Sequence, residues 1–174
     1  MRMQHLISTA AFLLLIWSCN GHTLDIPEPL PGCGTKPEQP ADPGTKVVRV
    51  SSADEVAALG EVAAGTEIVW SKGLFADQTV TLKAAGTAEN PVVLRAEEPG
   101  EVRFTGTSRL AVKGSGVVVR DFWWQNPVAV KGKAVITLDR GSEGCIVEQC
   151  AITGDKTAQA ADIDAKWVSL YGRS

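Results

Sequence analysis

The sequence has few of the residues that most often carry enzyme chemistry. Only two histidines occur among the 174 residues, His5 and His22, and both precede the region in which short strand patterns begin. A Ser-His-Asp arrangement and a Cys-His zinc site are therefore excluded from that region. The chain also lacks a basic excess, since 17 Lys and Arg face 20 Asp and Glu. This balance argues against nucleic acid as a partner, whereas a local positive groove for an acidic polymer stays compatible with it.

Long apolar runs are missing except near the start of the chain. Arg2 precedes an apolar run from Leu6 to Trp17, which is shorter than the about 20 residues that span a bilayer. Residues 1–19 are therefore predicted to be an export signal. Ser18-Cys19 at its end resembles the lipobox of bacterial lipoproteins, in which Cys19 becomes the lipidated N-terminus. Ordinary signal cleavage nearby, which would remove Cys19 or leave it free, is the alternative.

The next segment, residues 20–46, has little that a folded core could bury. It contains six prolines and four glycines, a composition typical of an extended tether. We therefore expect a folded domain over residues 47–174. With a lipid on Cys19, the protein would be an exported bacterial lipoprotein of the periplasm, outer membrane or cell surface, attached to the membrane through that lipid alone.

The folded region opens with a β-branched run at 47–50, which predicts a strand. Ser52 and Glu55 then have the spacing of a capping box. Apolar residues recur at helical spacing, at Val56, Leu59 and Ala63. We predict one helix within about 53–64, ended by Gly65, that caps the first coil of a solenoid. A single helix packed on a β-sandwich is the alternative.

From Glu67 onward the sequence consists of short apolar runs separated by Gly, Asn or charged residues. The runs are 68–70, 79–82, 92–94, 102–104, 110–112, 117–119, 122–124, 134–138, 145–147 and 151–153. Segments 116–126 and 144–154 align with each other without a gap, position 116 against position 144. A fixed period of this size indicates a solenoid, in which each coil covers the apolar face of its neighbour. Val118 and Ile146 are predicted to point inward.

Four side chains in this repeat allow two interpretations. Cys145 and Cys150 align with Val117 and Phe122, so they are either a disulfide of an exported protein or two small buried apolar residues. Trp123 and Trp124 offer a surface on which a sugar could stack. Because adjacent strand residues point to opposite faces, one Trp is expected in the core and at most one on the surface.

The stretch from Gly86 to Gly106 is the most specific in the chain. It contains the short motifs Gly86-Thr87, Asn90-Pro91, Leu94-Arg95-Ala96, Pro99-Gly100 and Phe104-Thr105-Gly106. It resembles the alginate lyase and chondroitinase B family, polysaccharide lyase family 6, and the segment 168–172 (Val-Ser-Leu-Tyr-Gly) resembles it again. The resemblance implies an all-β, right-handed parallel β-helix, a pectin lyase-like solenoid, here with an N-terminal capping helix.

The same resemblance implies β-elimination on an acidic polysaccharide, alginate or a glycosaminoglycan. Family members use calcium, a lysine base and an assisting arginine, all in coils that would follow Ser174. The resemblance therefore assigns no catalytic and no metal residue to this chain. It also implies that the β-helix is truncated at its C-terminal end, so that the chain is an inactive N-terminal part of a lyase. A non-catalytic β-helix module that binds polysaccharide or serves as a surface scaffold is the alternative.

Charged residues near the C-terminus are the remaining candidates for a site. The cations are Lys131, Lys133, Arg140, Lys156, Lys166 and Arg173, which are interpreted as solvated loop charges. The carboxylates are Asp139, Glu143, Glu148, Asp155, Asp162 and Asp164. None of these carboxylates has the spacing of a calcium-binding loop, and the alternating Asp162-Ile163-Asp164 is only a weak indication of a strand face.

Overall fold

Short β-strands form most of the molecule. A computed structural model describes residues 45–154 and 166–171, and within them the chain forms fourteen strands and the helix α1, Ala53–Ala58. The strands are β1 Lys46–Val50, β2 Glu61–Ala63, β3 Thr66–Trp70, β4 Gly73–Ala76, β5 Thr79–Ala85, β6 Val92–Ala96, β7 Val102–Gly106, β8 Arg109–Ser115, β9 Val117–Arg120, β10 Phe122–Pro127, β11 Ala134–Leu138, β12 Ile146–Glu148, β13 Ala151–Thr153 and β14 Lys166–Leu170. No helix in this part of the chain has the length and apolar character needed to cross a membrane.

The strands form three parallel sheets. Sheet 1 has the order β1-β3-β6-β9-β12, sheet 2 β4-β7-β10-β13 and sheet 3 β2-β5-β8-β11-β14. The chain visits sheets 1, 2 and 3 in turn and then returns to sheet 1 one strand further along, so β3-β4-β5 is one coil and β6-β7-β8 the next. This is a parallel β-helix, and the all-β fold predicted from the sequence is confirmed.

The alignment of segments 116–126 and 144–154 is confirmed by the strand pairing. Val118 pairs with Ile146 in sheet 1, and Trp124 pairs with Ile152 in sheet 2, as that alignment requires. Other coils differ in length, because the connecting loops differ while the strands stay in register. The coil that separates Phe104 from its partner Trp124 is shorter than the predicted repeat, and the coil that separates Ile136 from its partner Val168 is longer.

The core lies inside the three sheets and is richest in aromatic side chains at the inner face of sheet 2. The ring of Phe104 lies at its centre, with ring centroids 5.1 Å from Trp70, 6.0 Å from Phe75, 5.7 Å from Phe122 and 5.4 Å from Trp124. Burial of each such ring stabilises the fold by about 1.5–3 kcal/mol, and favourable ring pairs add to that. The aromatic stack therefore joins three consecutive coils.

The prediction that Val118 and Ile146 point inward is wrong. Val117 and Val119 are fully buried, whereas Ile146 is 51% exposed. Successive strand residues face opposite sides, and a run of three valines does not reveal which of them face the core. Val147, on the other side of the strand from Ile146, packs against the core instead.

The single helix is confirmed at the start of the solenoid, but it is shorter than predicted. It ends at Ala58, and Gly60 takes a left-handed φ of 68° shortly afterwards, where the chain turns into β2. Ala63 therefore belongs to a strand, and Gly65 does not end the helix. Ser52 Oγ accepts from Glu55 N (3.2 Å), and the Glu55 carboxylate accepts from Ser51 N (2.6 Å).

Helix α1 replaces a strand in the first coil. The order β1-α1-β2 puts it where later coils have their sheet 2 strand. Its Val56 is buried in the core, and its first N–H, from Ala53, donates to Gln78 Oε1 (3.0 Å). The helix thus packs against β5 of sheet 3 at this end of the solenoid.

Candidate functional site

An open groove lies where sheet 2 turns into sheet 3. Three segments line it: the residues 107–109 that lead into β8, residues 127–130 and 133–135 around the connection into β11, and Lys166 and Trp167 at the start of β14. Its volume of about 340 Å³ is open to solvent.

The first wall of the groove is held by hydrogen bonds to the preceding coil. The backbone N–H and the hydroxyl of Thr107 both donate to Asp77 Oδ1 (2.8 and 2.9 Å), and Arg109 N donates to Gln78 O (2.8 Å). The hydrogen bonds from Thr107 lower the pKa of the Asp77 carboxyl, the backbone N–H having the larger effect. Ser108, almost fully buried, accepts at its hydroxyl from Gln78 N (3.0 Å). Thr107 and Arg109 are therefore fixed in position by the coil below.

The floor and second wall come from the long connection between β10 and β11. Val128 N donates to Gly106 O (2.7 Å), and Lys133 N donates to Val130 O (2.9 Å), which closes the loop back on itself. Val135 is on the outer face of sheet 3, yet only 9% of it is exposed. The floor of the groove is therefore apolar.

The charged residues among the described lining of the groove are all cationic. Arg109, Lys133 and Lys166 are among its twelve lining residues, and none of the twelve is acidic. Trp167 is half-buried beside them. Cations around an apolar floor favour a ligand that carries an anionic group on an apolar ring. Among these lining residues we find no carboxylate or histidine that could act as a proton acceptor.

Only two of the charged residues singled out from the sequence come together here. Lys133 and Lys166 line the groove, whereas Lys131 and Arg140 are exposed outside it. Lys156 and Arg173 lie outside the described residues. Arg109, Thr107 and Trp167 were missed by sequence reasoning, because the coils bring together positions that are far apart along the chain and no local motif marks them.

The carboxylates do not form a metal site in the part of the chain that the structure describes. Asp139 accepts from Arg140 N (2.8 Å) and pairs with Lys113 (3.3 Å), and these contacts lower the pKa of its carboxyl. Glu143 and Glu148 are exposed. Over residues 45–154 and 166–171, no group of three or more His, Cys, Asp or Glu side chains could hold a metal ion. Asp155 and the Asp162-Ile163-Asp164 segment lie outside those ranges.

The two tryptophans face opposite sides, as predicted. Trp124 is buried and stacks on Phe104, with ring centroids 5.4 Å apart. Trp123 lies on the outer face of sheet 2, where its Nε1 donates to Thr153 Oγ1 (2.7 Å). The Arg103 guanidinium carbon lies 5.3 Å from the centre of the Trp123 ring. This ring is thus occupied by a cation–π contact and is a poorer sugar platform than the sequence suggested.

Both cysteines of the repeat are free thiols that are partly buried against the core. Burial raises the pKa of the Cys150 thiol to about 11. Of the two interpretations from the sequence, the small buried side chain is therefore the one confirmed. At this pKa Cys150 is protonated near neutral pH and a poor nucleophile.

A three-sided parallel β-helix with a cation-lined groove on its outer surface defines a β-solenoid protein. Comparison with protein families is more specific. The Chondroitinase B family model matches residues 50–174, so the chain belongs to that family. No curated protein matches the chain significantly.

Solved structures of polysaccharide lyase family 6 share the fold. The alginate lyase AlyGC is 26% identical with a TM-score of 0.63, over 73% of this chain and 18% of AlyGC. A mannuronic acid-specific lyase from human gut microbiota is 23% identical with a TM-score of 0.60, over 72% of this chain and 31% of that one. A lyase from Pseudopedobacter saltans is 24% identical with a TM-score of 0.57, over 70% and 28%.

These likenesses carry different weight. At 23% and 24% identity, the second and third show the fold alone. The chain spans less than a third of each of the three lyases. The activity of those longer proteins can therefore only be proposed for this chain.

Proposed function

We propose that the chain is the N-terminal part of an exported polysaccharide lyase that cleaves alginate or a related uronate polysaccharide by β-elimination. The observation that carries the proposal is the Chondroitinase B family match over residues 50–174. The parallel β-helix and the 26% identity to the alginate lyase AlyGC support it. In this proposal the coils of this chain form the rigid base on which the catalytic coils of the longer enzyme stack.

β-Elimination makes demands that this part of the chain does not meet. The proton on the carbon beside the uronate carboxylate must be acidified, and a positioned base must remove it. A hard cation such as calcium, bound by oxygen ligands, supplies the first requirement when present. Because the described carboxylates are scattered and form no group of three, they do not fit a calcium site. We therefore assign no metal ligand, base or other catalytic residue to them, and propose that the 174-residue chain alone is inactive.

The test of this proposal is an absorbance assay of eliminative cleavage. Purified chain is incubated with alginate and with dermatan sulfate, with and without calcium, while the new C4–C5 double bond is followed in the ultraviolet. We expect no increase from this chain and a calcium-dependent increase from a form extended by further coils. A calcium-dependent increase from this chain alone would contradict the proposed inactivity, and would direct attention to Lys131 and Lys133.

The second candidate is a non-catalytic β-helix module that binds polysaccharide. The observation in its favour is the groove itself, which offers cations and an apolar floor, with no carboxylate or histidine among the lining residues that the structure describes. The coding sequence after Ser174 separates the two candidates. Further coils containing Lys, Arg and Glu would support the lyase, whereas a stop codon followed by unrelated sequence would support the module.

A further inference from the structure

We propose that the groove between sheets 2 and 3 is a binding site for one carboxylate-bearing sugar unit of an acidic polysaccharide. The sugar class rests on the proposed function, whereas the site rests on residues of this chain. It would hold the polymer on the N-terminal coils, away from any catalytic group. Arg109, Lys133 and Trp167 carry the argument.

The first step concerns the sign and placement of charge. Two of the lining residues that the structure describes, Arg109 and Lys133, are cations in the β8 and β11 segments, and no described lining residue is acidic. Elsewhere on the described surface, some cations pair with carboxylates. Arg49 pairs with Glu97 (2.7 Å), and Lys72 pairs with Glu98 (3.0 Å). The groove therefore concentrates positive charge within a chain whose net charge is −3, which favours an anionic ligand at this place.

The second step concerns the register of sheet 3. Ile136 pairs with Leu110 on one side and with Val168 on the other. The residues that precede these three, Arg109, Val135 and Trp167, therefore form a row on the outer face. Neighbouring positions in such a row are about 4.8 Å apart. The row presents a cation, an aliphatic floor and an aromatic ring in that order.

The third step matches this row to a ligand. A pyranose ring has an apolar C–H face that packs on indole and aliphatic side chains. A hexuronate adds a carboxylate at the ring edge, and a guanidinium binds a carboxylate with two parallel hydrogen bonds. Thr107 supplies a hydroxyl on the same wall, held by Asp77. Free phosphate would contact only the cations, and a neutral sugar would contact only the apolar and hydroxyl groups. A hexuronate contacts both kinds of group and is therefore the ligand that the groove fits.

The experiment is a calorimetric titration of the full chain with a saturated tetrasaccharide of mannuronate. We expect binding by the unaltered chain, and no binding of a neutral β-1,4-linked glucose tetrasaccharide. Arg109→Gln should raise the Kd about tenfold, because it removes a bidentate charged contact. Lys133→Gln should raise it about threefold, as expected for a more exposed cation. Lys131→Gln is the matched control, since it removes a nearby exposed lysine that does not line the groove, and should leave the Kd unchanged.

Circular dichroism of each variant keeps the test independent of folding. If the Arg109→Gln variant loses its β-sheet spectrum, the Lys133→Glu variant is tested in its place. Lys133 is exposed, and a carboxylate at this position should abolish binding by repelling the carboxylate of the sugar. Equal effects of Lys131→Gln and Lys133→Gln, equal binding of the neutral sugar, or no binding by a folded chain would overturn the groove proposal. None of these results bears on the lyase proposal, which the absorbance assay tests with the extended form.

Discussion

At the scale of single residues, two glycines let consecutive coils approach each other. Gly86 belongs to the stretch that first suggested the family, and Gly116 lies in the next coil. A Cβ on Gly116 would lie 2.4 Å from the Gly86 carbonyl carbon, and its φ of 56° is left-handed. Gly86 N donates to Ser115 O (2.9 Å), and Val92 N donates to Gly116 O (2.8 Å). The glycines are thus required by backbone contact between coils.

We predict that Gly116→Ala lowers the free energy of unfolding by about 2–4 kcal/mol, from the left-handed φ together with the backbone clash. Gly132→Ala is the control, because Gly132 also has a left-handed φ, 69°, but no atom within 4 Å of an added Cβ. It should cost only about 1–2 kcal/mol. Urea unfolding followed by circular dichroism measures both. Equal losses in the two variants would show that contact between the coils adds nothing.

The carboxyl of Asp77 gives a prediction about pH. Its pKa is lowered in the folded chain by the hydrogen bonds from Thr107. A lowered folded-state pKa means that the stabilisation is present above the pKa of the unfolded chain and is lost as pH falls through the folded value. Asp77→Asn keeps an acceptor oxygen but cannot ionise. We expect the urea midpoint of the unaltered chain to exceed that of Asp77→Asn at pH 7, and the difference to shrink between about pH 5 and pH 1.

Thr107→Val serves as the control for this pH dependence. It removes the hydroxyl donor and keeps the backbone donor to Asp77, so the pH dependence should shrink without disappearing. A difference between the unaltered chain and Asp77→Asn that stays constant over the acid range would contradict the role of the Thr107 hydrogen bonds.

At the residue level, the sequence predicted that adjacent side chains lie on opposite faces of a strand, but it did not always show which face is the core. Trp124 and Trp123 could be assigned to opposite faces from alternation alone. Val118 was assigned wrongly, because Val117 and Val119 have the same side chain and the pattern carries no information about orientation. The partner strand does not resolve it either, since Cys145, Ile146 and Val147 are all apolar.

At the scale of elements, helix α1 depends on its cap. Ser52 Oγ accepts from Glu55 N, which satisfies one of the N–H groups left free at the start of a helix. We predict that Ser52→Ala lowers the free energy of unfolding by about 1 kcal/mol, whereas Ser52→Thr, which keeps an acceptor, changes it by less. Thermal unfolding compares the two variants. Identical midpoints would mean that packing of Val56 alone holds the helix.

The sequence predicted strands well wherever short apolar runs stood between turn residues, and every such run lies in or overlaps a strand. It did not predict β2 or β4. The residues of β2 were predicted to be part of the helix, because Ala63 continued the helical spacing of Val56 and Leu59. The second begins with Gly73 and contains Leu74, which is 67% exposed, so neither composition nor alternation marked it.

At the scale of the whole molecule, the repeat predicted the solenoid but not the groove. A repeat predicts which residues pair one period apart, as Trp124 with Ile152 shows. The groove instead depends on coil lengths, which differ from one pair of stacked positions to the next. Arg109, Val135 and Trp167 lie in one row only because the lengths of the coils between them bring these positions into register. Pairing at the repeat distance could therefore be predicted from one sequence, whereas the row of Arg109 and Trp167 required the structure.

The last prediction concerns where the whole protein resides. We propose that it is exported and anchored through a lipid on Cys19, because an apolar run ends at Ser18-Cys19 and residues 20–46 are rich in proline. A segment of that length and composition reaches up to roughly 80 Å when extended, enough to keep a β-helix clear of the membrane surface. A serine has no thiol to carry the lipid, and stable anchoring needs more than one acyl chain.

Cys19→Ser should therefore move the protein from the detergent phase to the aqueous phase in a phase-partition assay of expressing bacteria. Cys33→Ser, which alters another cysteine of the same region, should leave it in the detergent phase. Unchanged partition of Cys19→Ser would identify residues 1–19 as an ordinary cleaved signal, with the mature chain free in the exported compartment.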